Sequence, residues 1–180
     1  MRIIAGSARG RRLAGPPGRT TRPMTDRIRE SLFSSIAAWI PDSVVYDLYA
    51  GTGAMGLEAL SRGAAEVTFV ERDRAALGVL RRNIEAVGLG GTVVADDVAA
   101  FLDRAQSSCD LAFVDPPYAV ALPSLVETVA KLSPVMAYGG LAIVHRRSGE
   151  EPPAGIASLS LTDERTYGGA VLWRYTKECN

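Results

Sequence analysis

From Asp26 onward, apolar residues fall three or four positions apart: Ile28, Leu32, Phe33, Ile36 and Trp39. That spacing predicts an amphipathic helix with its stripe on a core, ended by Pro41. The period then shortens. "SVVYDLYA", "EVTFVE", "TVVADD", "DLAFVD" and "GLAIVHR" are short runs rich in β-branched residues, as expected of strands buried on both faces. Between them the helical spacing returns, in "LEALSRG", from Asp73 to about Val87, near residues 98 to 105, and from about Pro123 to Leu132. Strand and helix alternate, so the chain is expected to be an α/β protein with a parallel sheet covered on both faces and right-handed crossovers. The closing "IASLSLTDERTYGGAVLWRYT" holds two strand-like runs joined by a loop, which predicts an antiparallel finish.

Ahead of the first helix, residues 2 to 5 and 11 to 14 flank "GSARG" and suggest a hairpin with glycines at its bends. "AGPPGRTTRP" then reads as a linker stiffened by Pro16, Pro17 and Pro23. Two units follow from this reading: a hairpin extension with its linker over residues 1–21, and a main domain over 22–180.

Composition narrows the classes. With 180 residues, 47% hydrophobic and 22% charged, the chain suits one folded domain rather than extensive disorder. It has no apolar run long enough for a bilayer and no apolar leader behind Met1, so no membrane partner and a cytoplasmic location are expected. Cys109 and Cys179 form neither a metal-ligand spacing nor a disulfide framework. A monomer is expected, because no long exposed apolar segment stands out. The net charge of zero conceals an asymmetry: residues 1 to 30 carry eight arginines against Asp26 and Glu30. A basic arm on an acidic body points to a phosphate-rich partner.

In "VYDLYAGTGAMGLEAL", Gly51, Gly53 and Gly56 form G-x-G-x-x-G between a strand and a helix. Dinucleotides and S-adenosylmethionine both use such a turn. Asp47, four residues before the first glycine, would repel a pyrophosphate but can pair with the cationic α-amino group of a methionine moiety. Glu71 closes the next strand, where a carboxylate accepts from ribose hydroxyls. Asp97, beside Val98, is placed to accept from an adenine amine, with Asp96 as its substitute, although a lone acid before a helix is also a helix cap. Ala50, Thr52 and Arg72 complete the expected donor site.

"LAFVDPPYAV" closes the fourth strand beside the same crevice. Hydrophobic burial does not explain a carboxylate and two prolines there. A surface turn would, and so would attack by the exocyclic amine of a nucleobase on a sulfonium methyl, which the place of the tetrad behind the fourth strand favours. Asp115 and the carbonyl of Pro116 can accept the two amine hydrogens and bind more strongly as the nitrogen gains positive charge. Pro116 and Pro117 fix the carbonyl direction, and Tyr118 offers a stacking face for a flipped base. His145, the one histidine, is read as a solvent-edge or RNA-contacting residue, because this chemistry has no essential need of a further base.

With "RIIAGSARGRRL", "RPMTDRIRESLF", "DLYAGTGAMGLEALSRGA", "FVDPPY" and "RTYGGAVLWRY" read together, the chain resembles the RsmD family of bacterial ribosomal RNA guanine-N2 methyltransferases over almost its whole length. The resemblance implies a Rossmann-like class I methyltransferase fold with seven strands, mostly parallel, the last antiparallel. It implies S-adenosylmethionine as methyl donor, S-adenosylhomocysteine as product, and a guanine of 16S ribosomal RNA, in an assembled or assembling 30S subunit, as acceptor. Arg22, Pro23, Thr25 and Arg27 match the upstream motif near the donor and RNA entrance, and Arg2, Arg9, Arg11, Arg12 and Arg19 supply the basic arm. Met24 stands where relatives usually carry threonine, and His145 where many carry a carboxylate. An N6-adenine methyltransferase of DNA or RNA, a nicotinamide-dependent oxidoreductase and a noncatalytic RNA-binding module remain the alternative readings of the residues.

Overall fold

A computed structural model describes residues 1–15 and 24–179. The linker prolines Pro16, Pro17 and Pro23, with Arg19 and Arg22, lie outside the described residues. Seven strands form one sheet: β1 (Val44–Leu48), β2 (Glu66–Glu71), β3 (Thr92–Ala95), β4 (Cys109–Val114), β5 (Met136–Arg147), β6 (Leu159–Tyr167) and β7 (Ala170–Lys177). Their order is β3-β2-β1-β4-β5-β7-β6, with β7 antiparallel to both neighbours and the first five strands parallel. The expected mostly parallel sheet with an antiparallel last strand is therefore the fold. Its order reverses between β1 and β4, and that reversal opens a crevice at the strand ends where such sheets bind ligands.

Alternation along the strands sorts two cores. Val45, Phe69, Leu111, Phe113, Leu141 and Ile143 face one side with Leu32, Phe33, Leu57 and Leu80. Those helix residues belong to α1 (Asp26–Ser35), α2 (Ala54–Ser61) and α3 (Arg74–Val87). Leu48, Val70, Ala112, Val114 and Val144 face the other, against α4 (Val98–Leu102) and α5 (Leu122–Leu132). β1, β2, β4 and β5 are thus apolar on both faces, which is why their runs read as continuous. α3 shows how locally the ends are set. Asp73 accepts from the Ala76 amide at 2.8 Å to begin it, and Gly88, at φ +66°, ends it by returning its N–H to Ile84.

Several expectations needed correction. α1 stops at Ser35, since Ile36 leaves helical geometry (φ −112°, ψ 15°), and a short 3₁₀ turn follows over Ala37–Trp39. Trp39 is consequently 41% exposed, with Arg174 over its ring, rather than part of the buried stripe. α4 ends at Leu102 instead of near residue 105. The N-terminal hairpin is bridged at one pair, Arg2 with Arg12, while "GSARG" turns through Gly6 and Gly10, both at positive φ.

That arm packs into the main core: Ile3, Ala8 and Leu13 are buried in the same cluster as β1 and α2. Glu58, fully buried on α2, accepts from the Ile4 and Ala5 amides at 2.7 and 3.0 Å. Gly6 presses so closely on α2 that a Cβ would sit 1.7 Å from the Ser61 carbonyl oxygen. Asn83 of α3 exchanges hydrogen bonds with Ala14 and also donates to the Thr52 carbonyl at 2.9 Å.

Candidate active site

Five elements end around one cavity of about 660 Å³. Asp47, from the penultimate position of β1, reaches it although only 2% exposed. Its Oδ2 accepts from the Gly56 amide at 2.8 Å. Burial raises its carboxyl to about 8 against the lowering effect of that amide, and Asp115 and Glu71 add to the rise. A buried acid raised in this way is a ready partner for an arriving cation.

The chain turns sharply after β1. Tyr49 adopts φ +60°, a left-handed conformation costly for a bulky side chain, and Gly51 and Gly53 follow at +56° and +78°. Ala50, Gly51 and Thr52 face the cavity, whereas Gly53 and Gly56 do not line it. Their service is packing. A Cβ on Gly53 would meet Leu80 of α3 at 2.5 Å, and one on Gly56 would meet Phe69 of β2 at 2.4 Å, so the two glycines let the start of α2 lie close against α3 and β2. Glu71 ties this turn to the next strand: one carboxylate oxygen accepts from Gly51 at 2.9 Å, the other from the Arg72 and Asp73 amides.

Beyond β3 the acids divide their tasks. Asp97 caps α4 by accepting from the Ala99 and Ala100 amides, and its other oxygen pairs with Arg72 at 2.9 Å; it does not line the cavity. Asp96 and Val98 do, with Asp96 paired to Arg104.

On the opposite wall, Asp115, Pro116, Pro117 and Tyr118 leave β4 and line the same cavity. Arg146 holds this turn from beneath, donating to the carbonyls of Pro117 at 3.2 Å and Val120 at 2.9 Å. The Arg147 guanidinium sits 4.5 Å from the Tyr118 ring centre. His145 is not at the solvent edge. It is 4% exposed, lines the cavity, and places Nδ1 2.7 Å from Asp115 Oδ1. The register could have revealed this: β4 and β5 pair Ala112, Phe113 and Val114 with Ala142, Ile143 and Val144, so the next residues, Asp115 and His145, are neighbours on one face.

Sequence reasoning also passed over Arg29. This guanidinium is 1% exposed on α1 and lines the cavity. Its Nη2 donates to the Arg2 carbonyl and to Asp26, while Nε and Nη1 have no partner among the described residues. Burial lowers its pKa, and Asp26 and Glu58 counter that effect. Two unpaired buried donors on a cavity wall suit an anionic group. Met24, 9% exposed, lies on the same wall.

Of the residues expected to meet RNA, Arg2, Arg9, Arg12 and Arg27 are exposed. Arg11 is exposed but spends Nη1 on the carbonyls of Ala86 and Val87, at the C-terminus of α3. Thr25 caps α1, its Oγ1 accepting from Ile28 at 3.3 Å.

Comparison with known proteins places this geometry. The family described as "Conserved hypothetical protein 95" matches residues 1–176. The chain is 38% identical to ribosomal RNA small subunit methyltransferase D of Escherichia coli K12 over 181 residues, covering 99% of this chain and 90% of that protein. Among solved structures, yhhF from Escherichia coli superposes with a TM-score of 0.88 at 38% identity, over 100% of this chain and 99% of that one. A hypothetical protein of Thermus thermophilus, TTHA0928, gives 0.85 at 35% identity, over 97% and 98%. The strand order, the glycine turn under Asp47 and the Asp-Pro-Pro-Tyr wall facing it are therefore those of a member of the RsmD family, to which this chain belongs.

Proposed function

We propose that the cavity binds S-adenosylmethionine and that the Asp115–Tyr118 turn presents to it the exocyclic N2 amine of a guanine in 16S ribosomal RNA, within an assembled or assembling 30S subunit in the cytoplasm. One observation carries the reading. The donor-side acids and the amine-binding turn share a single cavity of about 660 Å³, large enough for a donor and a flipped base edge. The name of the Escherichia coli relative supports methylation of small-subunit ribosomal RNA.

The residues fit this donor by charge. Asp47 would take its α-ammonium, and the unpaired Nε and Nη1 of Arg29 its carboxylate. Glu71 would accept from the ribose, with Ala50, Gly51 and Thr52 alongside. Val98 and Asp96 would flank the adenine, while Asp97 and Arg72 brace that wall. When bound, S-adenosylmethionine supplies a methyl group made electrophilic by its sulfonium. A dinucleotide fits poorly, because its pyrophosphate would enter at the Gly51 turn, where the Glu71 carboxylate already accepts from the Gly51 amide.

On the acceptor side, the guanine amine is a weak nucleophile, since its lone pair is delocalised into the ring. Asp115 and the Pro116 carbonyl hold its two hydrogens and gain strength as the nitrogen becomes cationic. Tyr118 stacks the base, a contact worth about 1–3 kcal/mol. The methylated nitrogen then loses its proton to Asp115 or water. The exposed Arg2, Arg9, Arg12 and Arg27 would contact phosphates, which position the RNA without reading it.

The test is methyl transfer from labelled donor to 30S particles and to naked 16S RNA, followed by digestion to nucleosides. N2-methylguanosine is expected, and label in N6-methyladenosine would replace this reading with the adenine one. Asp115→Ala should abolish transfer while calorimetric donor binding persists; full turnover by that variant would remove the amine-binding turn from the chemistry.

A further inference from the structure

Asp115 is the one group on the acceptor wall that is both charged and partly open, its side chain 36% exposed beside a histidine side chain 5% exposed. A carboxylate on a two-fold, broad torsion has no preferred direction of its own. Something must aim it. The hydrogen bond from His145 is the aiming contact the structure offers, at 2.7 Å from Nδ1 to Oδ1.

The histidine is itself fixed. β5 lies between β4 and β7, and His145 pairs across the antiparallel ladder with Leu172. The next residue, Arg146, donates to the carbonyls of Pro117 and Val120, so consecutive residues of one buried strand hold the acceptor turn at both ends. An ionised carboxylate can only accept, so the proton shared by this pair sits on Nδ1. Nε2 is buried and has no partner among the described residues. The contact that matters to the site is therefore made by Nδ1.

We infer that His145 is a positioning residue for the acceptor carboxylate: its Nδ1–H commits Asp115 Oδ1 and leaves Oδ2 directed at the substrate amine. This rests on the function proposed above, because it assigns the amine to Asp115. Atoms of His145 exchange nothing with the substrate. Its contribution is the direction of a neighbouring oxygen, the kind of alignment whose loss costs about 100-fold in rate.

Three substitutions separate the two ring nitrogens. The amide nitrogen of asparagine lies near the place of Nδ1, whereas glutamine carries its amide out to the place of Nε2. His145→Asn should keep kcat within a few-fold of wild type, while His145→Gln and His145→Ala lose about 100-fold. Donor Kd and the KM for 30S particles should stay within about two-fold in all three. A variant series in which Gln preserves kcat and Asn does not would assign the working atom to Nε2 and overturn the inference; unchanged kcat in His145→Ala would do the same. Because this is the only histidine of the chain, ¹H–¹⁵N long-range NMR on the wild-type protein reads its tautomer without any variant. A proton on Nδ1 is expected, with the Nδ1 resonance moving in Asp115→Asn; a bare Nδ1 would end the proposal even if every variant failed to fold. Wild-type protein that binds no donor and methylates nothing would instead overturn the reading beneath it.

Discussion

A carboxyl raised to about 8, like that of Asp47, is largely protonated at neutral pH, whereas its unfolded counterpart titrates at 3.8. The folded chain thus holds an extra proton between those values, so this group's contribution to stability falls as pH rises through that window and levels off above about 8. An ammonium arriving against Asp47 favours the ionised form and expels that proton. Affinity for S-adenosylhomocysteine is therefore expected to climb from pH 6 to about 8, and its calorimetric enthalpy at pH 7 to depend on the ionisation enthalpy of the buffer. Asp47→Asn should remove both effects; a buffer-independent enthalpy in the wild type would contradict the assignment. Arg29 offers a ligand-side test. S-adenosylmethionine should bind the wild-type protein more tightly than its decarboxylated analogue, by about 1.5–3 kcal/mol for a charged hydrogen-bonded contact, and Arg29→Met should erase the difference. Equal affinities in the wild type would free Arg29 of that role. Neither Arg29 nor His145 was legible as a site residue in the sequence, for different reasons. Arg29 was absorbed into the charge of the basic arm, although it is buried. The histidine's strand-end location was legible, but its partner depended on the register between "AFVD" and "AIVH", which a single strand's pattern does not carry.

At the scale of elements, the central strands β1, β2, β4 and β5 were readable because each is apolar on both faces, and α3 and α5 because their buried residues repeat at helical spacing. Helix ends were less so. α1 and the following turn share one apolar pattern, and only the backbone of Ile36 separates them. Asp97 illustrates a competition that spacing cannot resolve: an acid ahead of a helix serves equally as cap or as ligand acceptor, and here the cap takes one of its oxygens. The docking of the arm was beyond local patterns altogether, since its anchors on Glu58 and Ser61 lie more than fifty residues away. Those anchors make a prediction. Gly6→Ala adds a methyl at φ +83° against the Ser61 carbonyl and should cost about 1–3 kcal/mol in urea unfolding, or detach the arm. Gly10→Ala, also at positive φ but with no neighbouring atom within 4 Å, should cost less. Equal losses would mean that contact with α2 contributes nothing beyond backbone strain.

On the scale of the whole molecule, the exposed arginines Arg2, Arg9 and Arg12 of the arm accompany a cavity lined by Asp47, Glu71, Asp96 and Asp115. Neutralising exposed Arg9 and Arg12 together should weaken RNA binding and reduce the slope of log affinity against log salt by about 2, one unit for each phosphate left without its cation. Donor affinity should not change. Arg11→Ala is expected to lower the melting temperature as well, because its guanidinium serves the end of α3; equal melting temperatures in the two variants would refute that distinction. Finally, Asn83 holds Ala14 and Thr52 at once, across a sequence separation of 69 residues on the arm side. A ribosome releases the arm first, its anchors on α2 next and Asn83 last, so during synthesis the Ala14 end of the arm waits for its partner until α3 has emerged. In the finished protein the same side chain makes undocking of the arm and loosening of the glycine turn one event, visible as amide protons around Ala14 and Gly53 that exchange with solvent in step.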